Sequence, residues 1–190
     1  SNGDSFDHFG ASVSIYRNVV AIGAVDEDGG GIGSNQDLHL NNKENSGAVY
    51  LYATFGGEWR ETGYIKGPAT QAGAKFGTAI EMGGNDLVIS ASFRDQIEGD
   101  NVGSVYLYSG SLLDCPSGQS EMLALCGYDD WTYNLTLEGS SENADSFGVV
   151  SEFGRLLDLD ESSLLVGAPA YSDFREGPEK LNSGKLFVYD

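Results

Sequence analysis

One pattern, spelled three times, limits this chain more than any single residue does. It consists of an aromatic-glycine pair, a short apolar run ending at or near Gly-Ala, an acidic loop, and a glycine-led run of alternating β-formers closing on tyrosine. The first copy has Phe9-Gly10 and then the runs 19–24 and 47–52; the second has Phe76-Gly77, 87–91 and 103–108; the third has Phe147-Gly148, 164–169 and 184–189. Self-similarity at this period marks an array of supersecondary units, each of which needs neighbours to bury its apolar face.

Within a copy the apolar period is two, the signature of strands. After Phe9-Gly10, Ala11, Val13 and Ile15 share one face while Ser12 and Ser14 take the other; later, Val49 and Leu51 oppose Tyr50 and Tyr52. A fourth run opens with Trp59 in the first copy and Trp131 in the second. Strands are therefore expected near 10–16, 19–24, 47–53 and 59–66 of the first unit. Arg17-Asn18 and Gly83-Gly84-Asn85-Asp86 supply residues that tolerate positive φ in the hairpins between the first two runs. No window holds apolar residues at helical spacing, so the chain is expected to be all-β.

The letters Phe-Gly followed by Gly-Ala-Pro, complete at Phe147-Gly148 and Gly167-Ala168-Pro169, resemble the FG-GAP repeat of integrin α-subunit propellers. The resemblance implies a β-propeller segment of about three four-stranded antiparallel blades, part of a larger ring of about seven. The units are expected over 1–66, 67–137 with a cysteine-containing insertion at 109–130, and an incomplete 138–190. Three blades are too few to close a ring, since propellers use four to eight. The chain is accordingly expected to be a piece of a longer protein, in contact with further blades of it. Glycine after phenylalanine is expected where backbone packs too closely for a side chain.

A net charge of −19 with only ten Lys plus Arg argues against nucleic acid, whose phosphates require a cationic face. No apolar run is long enough to span a membrane as a helix. The two cysteines, Cys115 and Cys126, fall in one loop insertion, the pattern of a local disulfide. Asn134-Leu135-Thr136 is an N-glycosylation acceptor pattern. Both point to an extracellular or cell-surface setting.

In integrin-like blades an acid-rich hairpin binds calcium just before the apolar second strand. Here the corresponding places before Leu164 fall on Ser163, Leu159, Leu157 and Arg155, so that ligand set does not transfer. Acids gather one loop later instead: Asp26, Glu27 and Asp28 in the first copy, Asp95, Glu98 and Asp100 in the second, Asp173, Glu176 and Glu179 in the third. They are either solvated loop acids or, with Asp26 and Asp28 as first candidates, calcium ligands, because alternate carboxylates on a glycine-rich turn suit a hard cation. Only His8 and His39 are present, and neither sits in a nucleophile, zinc or phosphate motif. The resulting expectation is a non-enzymatic adhesion or protein-interaction scaffold that takes an extracellular protein or glycan ligand. The alternatives are a homopolymeric subunit of an extracellular filament and a propeller accessory to a carbohydrate-active hydrolase or lyase.

Overall fold

The computed structural model describes residues 5–34, 40–55, 57–95, 101–110, 131–139, 152–160, 162–171 and 184–190. Among these residues there is no helix, and the strands form three antiparallel sheets. The first pairs β1 (Phe9–Tyr16), β2 (Val19–Ala24), β4 (Ala48–Phe55) and β5 (Glu58–Lys66) in that order, with the two-residue β3 (Gly33–Ser34) on the far edge of β5. The second is β6 (Phe76–Gly83), β7 (Asp86–Ala91), β8 (Ser104–Ser109) and β9 (Thr132–Glu138). The third is β10 (Leu156–Leu159), β11 (Leu164–Ala168) and β12 (Lys185–Tyr189). The four strands expected for the first unit fall within two residues of these bounds. Arg17 (φ 57°) and Gly84 (φ 60°) take the left-handed place in the hairpins.

The sheets stack face to face through their alternating residues. Val19, Ala21, Val49, Leu51 and Ile65 of the first sheet bury against Phe76, Ile80, Met82, Leu87, Ile89, Tyr106 and Tyr108 of the second. Across the next joint, Val88 and Val105 meet Leu164 and Val166, with Leu107, Leu157, Leu159 and Phe187 packed around them. Burial of this apolar area is the main force holding one sheet to the next.

Each joint is also fixed by backbone. The Phe76 N–H donates to the Ser46 carbonyl at 2.9 Å, and the Phe153 N–H donates to the Val102 carbonyl at 3.1 Å. The acceptors lie in equivalent Asn-x-Gly triplets, Asn45-Ser46-Gly47 and Asn101-Val102-Gly103, whose asparagines (φ 52° and 41°) and glycines (φ 80° and 83°) are left-handed. A Cβ on Gly47 would stand 2.2 Å from the Phe76 carbonyl oxygen, and one on Gly103 would stand 2.3 Å from that of Phe153, so neither triplet accepts a side chain there.

These contacts move the third aromatic-glycine pair. Fifteen residues separate Phe9 from Ala24, Phe76 from Ala91 and Phe153 from Ala168. The residue before each phenylalanine is left-handed (His8 φ 51°, Lys75 φ 54°, Glu152 φ 49°), and the glycine after it has φ 94°, 92° and 84°. Phe153-Gly154 thus fills the place expected for Phe147-Gly148, which lies outside the described residues. The physical reason is strand length: a start at 147 is six residues too early to reach register with Ala168 across the same hairpin.

The open space at Gly10 separates two causes for this glycine. A Cβ on Gly77 would meet the Ala48 carbonyl oxygen at 2.9 Å and the Gly23 Cα at 3.3 Å, while one on Gly10 meets nothing within 4 Å. Positive φ alone makes Gly10→Ala cost about 1–3 kcal/mol. Gly77→Ala is expected to cost more, because it also wedges apart the first and second sheets. Urea unfolding midpoints of the two variants check this, and equal losses would contradict it.

Candidate functional site

The loop after the second strand of each sheet is built on one backbone frame. Glu27, Arg94 and Tyr171 each donate their N–H to the last alanine of the preceding strand (Ala24, Ala91, Ala168) at 3.1–3.3 Å. Each then accepts, through its carbonyl, the N–H of the glycine that opens the third strand (Gly47, Gly103, Gly184) at 2.9–3.1 Å. Asp28 and Asp95 cap the Asn-x-Gly triplets, accepting the Asn45 and Asn101 N–H groups at 2.7 Å. On this constant frame the side chain at the Glu27 place varies, and with it the partner.

Glu27 is not a solvated loop acid. It is 1% exposed, and its carboxylate accepts from Lys66 Nζ at 2.6 Å, Tyr64 Oη at 2.8 Å and the Gly29 N–H at 2.9 Å. Lys66, fully buried, also donates to Ser46 Oγ at 2.7 Å. Burial pushes the Glu27 carboxyl up, but Lys66, Tyr64 and Gly29 together outweigh it and hold the group below its ordinary value. Burial, with the adjoining Glu27 charge, drives the Tyr64 phenol far above its usual range, leaving it a fixed donor. This network ties the acidic loop to the last strand of the first sheet.

The equivalent pair in the second sheet is reversed in sign. Arg94 stands at the Glu27 place and Glu138 at the Lys66 place, with Arg94 Nη1 donating to Glu138 Oε1 and to Ser104 Oγ, both at 3.0 Å. In the third sheet Tyr171 packs edge-on against Phe187, and the Lys185 ammonium lies 4.7 Å from both ring centroids.

Asp26 belongs to the joint between the first two sheets. Its Oδ1 accepts from Lys75 Nζ at 2.8 Å, and its Oδ2 lies 2.5 Å from His8 Nδ1. Burial raises this carboxyl, yet hydrogen bonds and charge from Lys75 and His8 outweigh that effect and leave it below its ordinary 3.8. His8, Phe9, Gly10, Ala11, Val25 and Asp26 line an open groove of about 470 Å³. The corresponding surface of the second sheet, around Lys75, Phe76 and Gly77, is filled by the triplet 45–47 of the first.

The two calcium candidates therefore serve separate protein donors, Asp26 with Lys75 and His8, Asp28 with the Asn45 N–H. Among the described residues no group of three or more His, Cys, Asp or Glu is gathered to hold a metal ion. Asp95 caps its triplet, whereas Glu98, Asp100, Asp173, Glu176 and Glu179 lie outside the described residues, as do His39, Cys115 and Cys126. Asn134 is exposed on β9.

The FG-GAP repeat profile matches residues 1–52 and 59–108, more than half of the chain. The chain belongs to the FG-GAP repeat family. Its sheets are therefore blades of a partial β-propeller, with β1, β6 and β10 as the first strands and a propeller-type interaction domain as the coarse function. No match is found among the curated proteins.

The buried pair yields a mutational cycle. Glu27→Ala leaves Lys66 buried without its carboxylate and should cost about 3–5 kcal/mol, whereas the double change Glu27→Leu/Lys66→Met should recover most of it. Arg94→Ala, at a partly exposed pair, should cost about 1 kcal/mol or less. Chemical denaturation of the three variants measures this, and equal losses at Glu27 and Arg94 would contradict it.

Acid should weaken the first blade. A carboxyl held low in the folded state contributes stability above its unfolded value and loses it as pH falls through the folded one. For Asp26 that contribution is complete above about pH 4 and disappears in more acidic solution. Glu81 runs the other way, because burial and Asp158 across the second joint raise it. Asp26→Asn should therefore flatten the acid limb of the stability curve below about pH 4, with unfolding free energy measured against pH as the check.

Proposed function

We propose that this chain is a section of an extracellular, non-enzymatic propeller scaffold for protein interaction, in which the uncovered blade faces take further blades. One internal comparison carries the proposal. Val13 and Ile15 of the first blade occupy the places of Ile80 and Met82 in the second, four and six residues after the phenylalanine. With a blade in front of them Ile80 and Met82 are 4% and 6% exposed; without one Val13 and Ile15 are 65% and 61% exposed. At the other end, Leu186 is 61% exposed while its equivalents Val49 and Val105 are fully buried. Each of these faces has a buried counterpart within the same chain, and is therefore built for an occupant of the same kind.

The groove beside Phe9 supports the same reading, since the equivalent surface of the second blade, at Lys75 and Phe76, receives the triplet 45–47. A net charge of −19 and two cysteines in one loop insertion favour an extracellular setting, where carboxylate-rich surfaces keep exposed loops soluble. The presence of open faces at both ends also favours the second reading, a filament subunit, because head-to-tail contacts that do not close generate fibres.

The 20.2 kDa chain in isolation is expected to associate or to bind a hydrophobic dye, since apolar patches of this kind mark contact sites. The Val13→Lys/Ile15→Lys variant should reduce both effects without loss of sheet signal in circular dichroism. A wild-type chain that light scattering finds monomeric and that binds no dye would overturn the proposal.

A further inference from the structure

We propose that Asn134 carries an N-linked glycan and that this glycan guards the outer edge of the second blade, which no strand covers among the described residues. The first observation is a bulge. Along β8 and β9, Leu107 pairs with Leu135 and Tyr108 with Tyr133, so Asn134 is the extra residue left between two ladder partners. Bulges re-aim a side chain and leave one residue unpaired. The equivalent bulge residue of the first blade is Thr62, between Gly63 and Glu61, and its hydroxyl is buried. Asn134 is instead exposed, with Nδ2 donating to Ser109 Oγ, which leaves its second N–H for the sugar bond. Thr136, the third residue of the acceptor pattern, follows on the same strand.

The second observation is the character of that edge. β9 is the outermost strand of its sheet among the described residues. An exposed edge presents unpaired N–H and C=O groups to any other strand, and proteins blunt such edges with charge or cover. The first blade does both: β3 pairs with Lys66 and Ile65 of β5, and Glu58, Arg60 and Glu61 supply charge along the rest. From Thr132 to Leu137, β9 has no charged residue, and Tyr133 and Leu135 are exposed. A bulky, hydrated group at Asn134 supplies the missing protection at the middle of the strand.

The inference rests on the extracellular reading, and one preparation separates the two. The full chain is secreted from a eukaryotic host, and its intact mass is measured before and after enzymatic deglycosylation alongside Asn134→Gln. A glycan at Asn134 in most molecules is expected, and secreted protein bare at that residue overturns the site. Peptide mapping of the same material reads Cys115 and Cys126. If the bridge forms and Asn134 is bare, only the glycan site fails; if both thiols are free, the extracellular reading fails. The guarding role is tested in the Val13→Lys/Ile15→Lys background, where face-to-face association is suppressed. There N134Q should associate at several-fold lower concentration than the glycosylated chain, and N134K, bare but charged, should not. Equal association of N134Q and the glycosylated chain overturns the role.

Discussion

Two backbone hydrogen bonds set the spacing of the whole array, Phe76 N–H to Ser46 and Phe153 N–H to Val102. To make them, the chain enters each blade through a left-handed residue, turns at a glycine with φ near 90°, and meets a triplet that is itself left-handed at both ends. These conformations are costly outside glycine, so they persist only where the surroundings over-determine them. Once the phenylalanine is seated, β-strand alternation decides which side chains face the next blade, and the apolar joint follows from register rather than from any special residue.

The repeat and the four long strands of the first blade, within two residues at each end, could be read from sequence because period-two alternation and turn residues are local signals, whereas the two-residue β3 has no such signal. The starting point of the third blade was harder, because Phe147-Gly148 and Phe153-Gly154 both carry the letters. Only the interval decides between them: fifteen residues to the alanine closing the second strand, a distance set by two antiparallel strands and one tight turn. The Asn-x-Gly triplets were present in all three copies at 45–47, 101–103 and 182–184. Their importance is tertiary, since the groups they receive belong to the following blade, and that pairing has no local signature.

The acidic loops were misleading for a related reason. Three consecutive acids look alike in sequence, yet Asp26 serves the joint, Glu27 is buried and Asp28 caps a backbone turn. What separates them is the direction of each side chain on a fixed loop frame and the location of a cation thirty-nine residues away, Lys66. Exposure of a charged loop is a sound first expectation for Asp and Glu, which are almost never fully buried unless paired. The clue available in sequence was Lys66 itself, the only charged residue among the last three of β5, beside Tyr64 and Ile65.

Tandem repeats of similar sequence are prone to a particular error during folding, in which the closing strand of one unit inserts into its neighbour. Glu27 faces Lys66 in the first blade, while Arg94 faces Glu138 in the second. A first blade that accepted β9 would place Glu138 against Glu27, two carboxylates in a desolvated pocket, and a second blade that accepted β5 would place Lys66 against Arg94. Like charges so placed repel by several kcal/mol. The reversal of polarity thus matches each loop by charge to the last strand of its own blade and opposes it to the last strand of the repeat beside it.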